Sequence, residues 1–261
     1  MRLSAPVLGR GYRLEVFDSL RSTNDEAMAR AREGDPGRLW IRAERQTGGK
    51  GRLGRNWVSP EGNLYASLLL IDAALPQRAP ELGFVAGVAL AASLTPHLGP
   101  RVRLKWPNDA IVDGCKIAGV LLEASQTHGG GFACVIGVGV NCASHPQGLP
   151  YGATDLASLG HLMKPDELLE VFAQEFADWL DRWDEGRGFA LVRAAWLSYA
   201  AGMGEPAVVS VGDQRINGVL RGLDEHGRLL LDTQAGLRTI DAGDVFLPGL
   251  TEAAGQPQVW E

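Results

Sequence analysis

The segment from Pro80 to Leu98 constrains the fold most strongly, because its residues are apolar almost all the way round a helix. A helix without a polar face is typical of a protein interior, so a buried helix is predicted here. The longest apolar run, Leu82 to Leu94, has 13 residues, whereas a membrane-spanning helix needs roughly 20. We therefore expect this helix in the core of a globular domain, with no membrane partner.

Stretches of β-forming and of amphipathic residues flank the buried helix and predict a mixed region of strands and helices. The Asp113-Gly114 pair suits a two-residue type I′ turn and predicts a β-hairpin. The predicted strands are 14–17, 38–44, 63–72, 102–106, 110–112, 115–117, 119–125 and 132–141, with a connecting turn at 128–131. The other predicted helices are 24–31, with Thr23 or Asn24 as the N-cap, about 165–184 and 188–200.

A change in composition near residues 202–206 marks a second region. Beyond it, short strands separated by turns at intervals of roughly 8–12 residues predict a small SH3-like β-barrel. We therefore place one domain at 1–203 and a small β domain at 204–261. The strands predicted in the second domain are 207–211, 215–222, 228–233, 237–241 and 245–247.

The charge balance disfavours some classes of function. Lys and Arg number 25 and Asp and Glu number 31, so the net charge is −6, and there is no basic tract. Such a chain is a poor candidate for binding nucleic acid or an anionic membrane surface. The three cysteines have no metal-binding spacing, and the N-terminus has no apolar signal segment. Both features are typical of a cytoplasmic protein with reduced thiols.

The most informative segment is the loop at residues 46–57, which reads QTGGKGRLGRNW. Its four glycines let backbone N–H groups approach an anion. Lys50, Arg52 and Arg55 supply three cations, and Trp57 supplies an aromatic plane. This set suits a phosphate or carboxylate beside a flat heterocycle. The alternative is a solvated surface loop with a core-facing tryptophan, and the spacing does not match a Walker A phosphate loop.

Two further segments carry candidate chemistry near strand ends. In the segment KWPND at 105–109, the proline ends a strand and presents Asn108 and Asp109. If 109–112 pairs with 115–118, Asp109 and Lys116 share one end of the hairpin and place a carboxylate and an ammonium in one pocket. The alternative is an ordinary ion pair in a turn. The segment GVGVN at 137–141 is a strand that another group can approach closely, or a glycine pair packed against a helix.

Together, these segments resemble a known family. Ser22-Thr23-Asn24, the 46–57 loop, KWPNDA with GCKIAG, and GVGVN are similar in order and spacing to the catalytic domain of bacterial biotin protein ligases (biotin–[acetyl-CoA carboxylase] ligases). The match covers about residues 15–142, and the β-rich tail is similar to the family's small C-terminal domain. The resemblance implies an α+β fold, the class II synthetase-like biotin/lipoate ligase fold, in which a mixed sheet with helices is followed by an SH3-like barrel.

The resemblance also implies a two-step reaction that uses ATP and Mg²⁺. Biotin is first activated to biotinyl-5′-AMP, and the biotin is then transferred to a lysine of the biotin carboxyl carrier protein. Lys116, Arg52 and Asp109 are the implied catalytic residues, and Asp109 either orients Lys116 or holds Mg²⁺. The implied biotin-binding residues are Ser22, Thr23, Asn24, Gln46, Gly49, Lys50, Gly51, Arg52, Lys116 and Gly119. The implied nucleotide-binding residues are Arg52, Arg55, Trp57, Asn108, Lys116 and Asn141.

Two features depart from the family pattern. Lys50 stands where the family usually has the first arginine of its loop, which keeps the charge but loses bidentate geometry. The first family motif begins by residue 22, which leaves no room for the DNA-binding helix-turn-helix of bifunctional members, so a ligase without repressor function is expected. A homodimer is a further possibility. Two alternatives stay open: a lipoate or octanoyl ligase on a similar fold, and a non-catalytic biotin-binding regulator.

Overall fold

The computed structural model describes residues 2–127 and 129–248. The first of two sheets has seven strands in the order β1-β2-β3-β7-β6-β5-β4. Strands β1 and β2 run parallel, and every other neighbouring pair in this sheet is antiparallel. The strands are β1 (Arg13–Leu20), β2 (Leu39–Gln46), β3 (Leu64–Ile71), β4 (Val102–Lys105), β5 (Asp109–Val112), β6 (Cys115–Gln126) and β7 (Phe132–Val140). The predicted mixed sheet is confirmed.

Helices cover both faces of this sheet. The helices are α1 (Ala5–Gly9), α2 (Thr23–Arg32), α3 (Glu81–Leu98), α4 (Pro165–Trp183) and α5 (Phe189–Tyr199). On one face, Ala27 and Ala31 of α2 pack in a small core against apolar residues of β2, β3 and β7. On the other face, α3, α4 and α5 share a large core with the sheet. Helix α2 therefore lies on the face of the sheet opposite to α3, α4 and α5.

Helix α3 lies in the large core, as its apolar sequence predicts. Among the described residues, one helical stretch, Pro76–Arg101, is long and apolar enough by length and composition to cross a membrane, and 67% of its apolar window is buried inside the protein. The 13-residue apolar run suggested that this helix is too short to span a membrane, but the length of the helix alone does not exclude it. The packing of α3 between the sheet and the helices α4 and α5 is that of a core helix.

The second sheet is antiparallel, with the order β11-β10-β9-β8-β12. Its strands are β8 (Pro206–Val211), β9 (Gln214–Leu223), β10 (Leu229–Thr233), β11 (Gly236–Ile240) and β12 (Asp244–Phe246), so the predicted strands are confirmed. No pairing within residues 2–127 and 129–248 joins β11 to β12, and the expected barrel is an open sheet there. The indole of Trp106 donates to the Gly227 carbonyl at 3.1 Å and joins the two sheet regions.

Local details differ from the sequence-based expectation. Helix α2 is capped by Ser22, whose hydroxyl accepts from the Asp25 N–H at 3.4 Å, and neither Thr23 nor Asn24 is the N-cap. The strands predicted at 115–117 and 119–125 form one strand, β6, and its pairing with β5 contains an irregularity. The predicted type I′ turn is present, with positive φ at both Asp113 and Gly114. In the turn predicted at 128–131, residue 128 lies outside the described residues.

Candidate active site

A cavity lies where α2, β6, β7 and the 46–57 loop meet the start of β12. It gathers residues that are far apart in the sequence, including four consecutive residues of the second sheet region, 244–247. Thirteen of the residues predicted for a site line it: Ser22, Thr23, Asn24, Gln46, Lys50, Gly51, Arg52, Arg55, Trp57, Asn108, Asp109, Lys116 and Gly119. The structure therefore brings together the loop, the KWPND segment and the Lys116 hairpin.

Strand periodicity explains which residues face this cavity. Successive side chains of a strand point to opposite faces, and β3 sends Leu64, Ala66, Leu68 and Leu70 into the large core. Ser67 therefore faces α2. On β7 the same alternation places Gly137 and Gly139 on the α2 side. A Cβ at Gly137 would lie 2.2 Å from Asn24 Oδ1, and one at Gly139 would lie 2.7 Å from the Trp57 ring, so glycine is required at both positions.

The uncharged end of the cavity is a hydrogen-bonded group around the start of α2. The Thr23 N–H donates to Gln46 Oε1 at 2.8 Å, and Gln46 Nε2 donates to Ser59 Oγ at 3.0 Å. The Ser59 hydroxyl in turn donates to the Trp57 carbonyl at 2.8 Å. Gly49 does not line the cavity. It packs against the backbone of its own loop, where a Cβ would lie only 2.4 Å from the Trp57 carbonyl oxygen. It packs inside the loop and lets the loop fold back on itself.

The charged centre of the cavity is an ion cluster on the hairpin. Lys116 Nζ lies 2.5 Å from one carboxylate oxygen of Asp109, and Lys105 Nζ lies 3.4 Å from the other. Burial raises the pKa of the Asp109 carboxyl, but the attraction of Lys116 and then of Lys105 outweighs it, and the pKa is lowered from its ordinary value. The Asp109 side chain is 13% exposed. Asp109 thus stays a carboxylate that fixes the ammonium of Lys116.

Aromatic rings and a backbone segment enclose Lys116. Its Nζ lies 5.3 Å from the centroid of the Trp57 ring and 5.9 Å from that of Tyr151. The Lys116 N–H donates to the Gly152 carbonyl at 2.7 Å, and the Thr154 N–H donates to the Lys116 carbonyl at 2.9 Å. These bonds hold the 151–154 segment beside the hairpin. The lysine is therefore only 18% exposed while its ammonium faces the cavity.

The cations of the 46–57 loop are held by neighbouring acidic and carbonyl groups. Arg52 donates to Asn108 Oδ1 at 3.2 Å and to the Gly243 carbonyl at 3.2 Å, and it lies 3.4 Å from Asp244 Oδ1. Arg55 reaches the same Asp244 oxygen at 3.0 Å. Burial lowers the pKa of the Arg52 guanidinium, and the Asp244 carboxylate opposes that effect. Lys50 pairs with Asp25 at the start of α2.

One of the predicted nucleotide-binding residues, Asn141, lies away from the cavity. Asn141 is 4% exposed and does not line the cavity, and its amide donates to the Thr154 carbonyl at 3.0 Å. It supports the segment beside Lys116, and its position gives no support to the predicted nucleotide contact.

The Asp109 carboxylate is engaged by two ammonium groups, so the geometry favours the role of orienting Lys116 over that of holding Mg²⁺. Among residues 2–127 and 129–248, no group of three or more His, Cys, Asp or Glu side chains could hold a metal ion.

Sequence reasoning missed several residues of the cavity. Asp244 lies almost 200 positions from Arg52, and its pairing had no signal in the spacing of the motifs. Tyr151, which lines the cavity, comes from a segment without any recognised motif. So does Ser67, which lies behind the cavity wall and bonds to Thr23. Lys105 is part of the KWPND segment, where its charge was the signal that could have suggested its pairing with Asp109.

The family assignment follows from comparison with known proteins. The model of the Biotin/lipoate A/B protein ligase family matches residues 16–141, and that of the Biotin protein ligase C terminal domain matches 204–247. The biotin–[acetyl-CoA-carboxylase] ligase of Paracoccus denitrificans is 41% identical over 236 residues, which cover 87% of this chain and 98% of that protein. The chain belongs to the biotin protein ligase family.

Other members of the biotin protein ligase family support the assignment over the same length. The biotin–[acetyl-CoA-carboxylase] ligase of Mycobacterium tuberculosis is 31% identical, and the match covers 91% of this chain and 90% of that protein. The bifunctional ligase/repressor of Escherichia coli is also 31% identical, with 76% of its length covered. The Aquifex aeolicus biotin protein ligase in complex with biotin and ATP has a TM-score of 0.78 at 28% identity, covering 90% and 98% of the two chains.

Proposed function

We propose that this chain is an ATP-dependent biotin–protein ligase, a biotin–[acetyl-CoA-carboxylase] ligase that carries out protein biotinylation. It activates biotin to biotinyl-5′-AMP and transfers the biotin to a specific lysine of the biotin carboxyl carrier protein. The observation that carries the proposal is the position of Lys116. Its ammonium, fixed by Asp109, lies in one cavity with Arg52 of the 46–57 loop and with the polar group at Thr23 and Gln46.

The first step joins two anions. A carboxylate oxygen of biotin attacks the α-phosphorus of ATP, the bond from that phosphorus to the bridging oxygen of the β-phosphate breaks, and pyrophosphate leaves with the electron pair. At 4 Å and an effective dielectric constant near 20, two unit charges repel by about 4 kcal/mol. Lys116 and Arg52 offset that repulsion and stabilise the charge that develops on the in-line transition state.

The second step transfers the biotinyl group. The lysine amine of the carrier protein attacks the carbonyl carbon of the mixed anhydride, and the bond from that carbon to the phosphate oxygen breaks. AMP leaves with the electron pair, and the nitrogen loses a proton as the amide forms. Water would hydrolyse the same anhydride, so the cavity must exclude it. We assign this role to the 46–57 loop, because Arg52 and Arg55 tie it to Asp244 and all three residues line the cavity.

The two ends of the cavity suit the two substrates. The ureido group of biotin needs hydrogen-bond donors and acceptors, which the Thr23 hydroxyl and the Gln46 amide provide. The indole of Trp57 offers a surface on which adenine can stack. Its N–H is buried and has no hydrogen-bond partner among the described residues, which favours a bound group with an acceptor atom at that point.

The donor set does not fit a magnesium ion held by the protein. The carboxylates of Asp109 and Asp244 both face the cavity, but each is engaged by two cationic side chains. Mg²⁺ commonly binds through substrate phosphates and only one or two carboxylates. The ion would therefore enter with ATP as part of the substrate, and no step here is assigned to it.

Biotin-dependent exchange of labelled pyrophosphate into ATP tests the first step, and the mass of a biotin carboxyl carrier domain tests the second. We expect exchange only with biotin present, and the addition of one biotinyl group to the carrier. Lipoate and octanoate serve as competing acids in parallel reactions. Incorporation of lipoate without biotin would favour the related ligase instead, and binding without exchange would favour the regulator. The homodimer and the cytoplasmic location stay predictions.

A further inference from the structure

A row of hydrogen-bonded side chains leads from Thr23, at the cavity wall, away to the carboxylate of Glu123. Ser67 Oγ lies 2.7 Å from Thr23 Oγ1 and 2.6 Å from Asn24 Oδ1. The other atom of the Asn24 amide, Nδ2, donates to Glu123 Oε2 at 2.7 Å. We propose that Ser67, Asn24 and Glu123, the Ser67 relay, are positioning residues that fix the Thr23 hydroxyl as a hydrogen-bond acceptor for a ureido N–H. This inference rests on the proposed biotin ligase function.

The direction of each hydrogen bond follows from the chemistry of the groups. A carboxylate only accepts, so Glu123 turns the Nδ2 of Asn24 toward itself and Oδ1 toward Ser67. An amide oxygen also only accepts, so Ser67 must give its one hydroxyl proton to Asn24. Ser67 Oγ can then only accept at its second contact, and the hydroxyl of Thr23 becomes the donor there.

Gln46 gives the Thr23 hydroxyl the same polarity from the other side. Gln46 Oε1 accepts from the Thr23 N–H at 2.8 Å, which fixes the orientation of that amide, and it lies 3.2 Å from Thr23 Oγ1. Both oxygens next to the Thr23 hydroxyl are therefore acceptors. The contact to Ser67 Oγ is the shorter, 2.7 Å against 3.2 Å to Gln46 Oε1, so Ser67 takes the proton and the lone pairs of Thr23 are left for the cavity. Without Ser67, only the longer contact to Gln46 would hold the Thr23 hydroxyl in this orientation.

Burial makes this order persistent. Ser67 is fully buried, and Thr23 and Asn24 are each 4% exposed. A hydrogen-bond chain away from water cannot exchange its partners cheaply, because an unsatisfied buried group is costly. Gly137 leaves the room that the Asn24 amide needs, since a Cβ there would lie 2.2 Å from Oδ1. The relay is thus built into α2, β3, β6 and β7.

The polarity sets the class of ligand. A cyclic urea carries N–H donors, which a fixed acceptor recognises, whereas the ring of a lipoyl group or a plain acyl chain has none. A site built to accept a hydrogen bond discriminates against a ligand that lacks the donor, because its polar atoms are then left unpaired. The relay therefore contributes to the selection of the ureido ring and not to the charge chemistry at Lys116.

Four variants test the relay in the biotin-dependent pyrophosphate exchange reaction, measured for biotin and for ATP separately. Ser67→Ala breaks the relay in the middle. Glu123→Leu removes the acceptor that orients Asn24, and Glu123→Gln keeps a carbonyl acceptor at the same place. Ser93→Ala is the matched control, because Ser93 is equally buried but donates to the Ala89 carbonyl within α3. A biotin methylated on its ureido nitrogens reports the polarity, since it lacks the N–H donors.

We expect Ser67→Ala and Glu123→Leu to raise the KM for biotin about three- to tenfold, the worth of one hydrogen bond. The KM for ATP and kcat stay unchanged, and the preference for biotin over the methylated analogue narrows. Glu123→Gln restores the biotin KM, and Ser93→Ala behaves as the wild type. The relay is overturned if both Ser67→Ala and Glu123→Leu keep the wild-type preference for biotin over the methylated analogue, or if the KM values for biotin and ATP rise equally. In either case, normal biotin-dependent exchange by the wild type would still support the proposed function. Absence of biotin-dependent exchange in the wild type overturns both.

Discussion

The two ends of the cavity are built in opposite ways. At the Thr23 end, the side chains of Thr23, Asn24 and Ser67 are buried, neutral and joined by hydrogen bonds between α2 and β3. At the Arg52 end, a more exposed loop carries cations that rest on acidic partners, and its Arg55 is 55% exposed. The first end is preorganised for a neutral ring, and the second holds charges that an anion can recruit. The comparison suggests that recognition is fixed before binding, whereas the charged loop adapts.

The largest expected effect is at the charged end. Lys116→Ala removes the ammonium that offsets the repulsion between the carboxylate and the α-phosphate. We expect kcat for adenylate formation to fall roughly 10²- to 10³-fold, with the melting temperature little changed. Single-turnover formation of biotinyl-AMP measures this. Lys164→Ala, on the exposed lysine before α4, is the control and should turn over normally. Normal turnover of Lys116→Ala would remove the central assignment.

The next largest effect is expected at Trp57, and it tests whether this residue belongs to the Arg52 end of the cavity, where ATP would bind. Trp57→Ala should raise the KM for ATP about five- to 150-fold, from about 1–3 kcal/mol of stacking energy, and should raise the KM for biotin less. Gly139→Ala should act in the same direction, because its Cβ would lie 2.7 Å from the indole and displace it. Gly83→Ala, where a Cβ meets nothing within 4 Å, is the control. Equal changes in both KM values would argue against stacking.

The pH dependence of stability sharpens the contrast, because the Asp109 cluster, unlike the Thr23 end, is held by ion pairs. The pKa of Asp109 is lowered in the folded protein. Its carboxylate therefore contributes stability above the ordinary aspartate pKa, near 3.9, and that contribution is lost as the pH falls through the lower folded value. Urea unfolding should show Asp109→Asn less stable than the wild type by about 1–3 kcal/mol at pH 7. The gap should shrink below about pH 4; a constant gap would contradict the shift.

A smaller effect is expected where the loop rests on the second sheet. Asp244→Asn removes the carboxylate shared by Arg52 and Arg55, and partly exposed ion pairs are worth about 0.2–1 kcal/mol. Trypsin should therefore cleave the 46–57 loop about two- to fivefold faster, because cleavage follows local opening. Asp241→Asn, at an exposed carboxylate that pairs with Arg228, is the control. Equal cleavage rates in the wild type and Asp244→Asn would show that Asp244 does not restrain the loop.

The smallest effect is expected at Lys50, whose side chain is 38% exposed and pairs with Asp25. Lys50→Arg keeps the charge and restores the residue that the family usually has, so activity should stay within about twofold of the wild type, as for an exposed pair. Steady-state exchange assays measure this. A severe loss would show that Lys50 makes a contact that a guanidinium cannot make.

Much of the fold was predictable because its signals are local. The apolar α3, the amphipathic α4, the type I′ turn at Asp113-Gly114 and the five strands of the second sheet all follow from periodicity or turn chemistry. The N-cap of α2 was predicted one or two residues too late, because Ser22, Thr23 and Asn24 are all good capping residues. The hairpin that brings Asp109 close to Lys116 was predicted because the Asp113-Gly114 turn lies between two short strands.

Sequence motifs alone determined which segments carry the chemistry, since glycines, cations and an aromatic residue at close spacing are visible without a fold. Only the tertiary structure decided how these segments are held. In the folded protein, Asp244 pairs with Arg52, and the buried Asn141 amide donates to the Thr154 carbonyl. Ser67 contacts both Thr23 and Asn24. Those contacts join residues that are 13 to 192 positions apart, and no local pattern encodes them because they arise only when strands align and a helix packs across them.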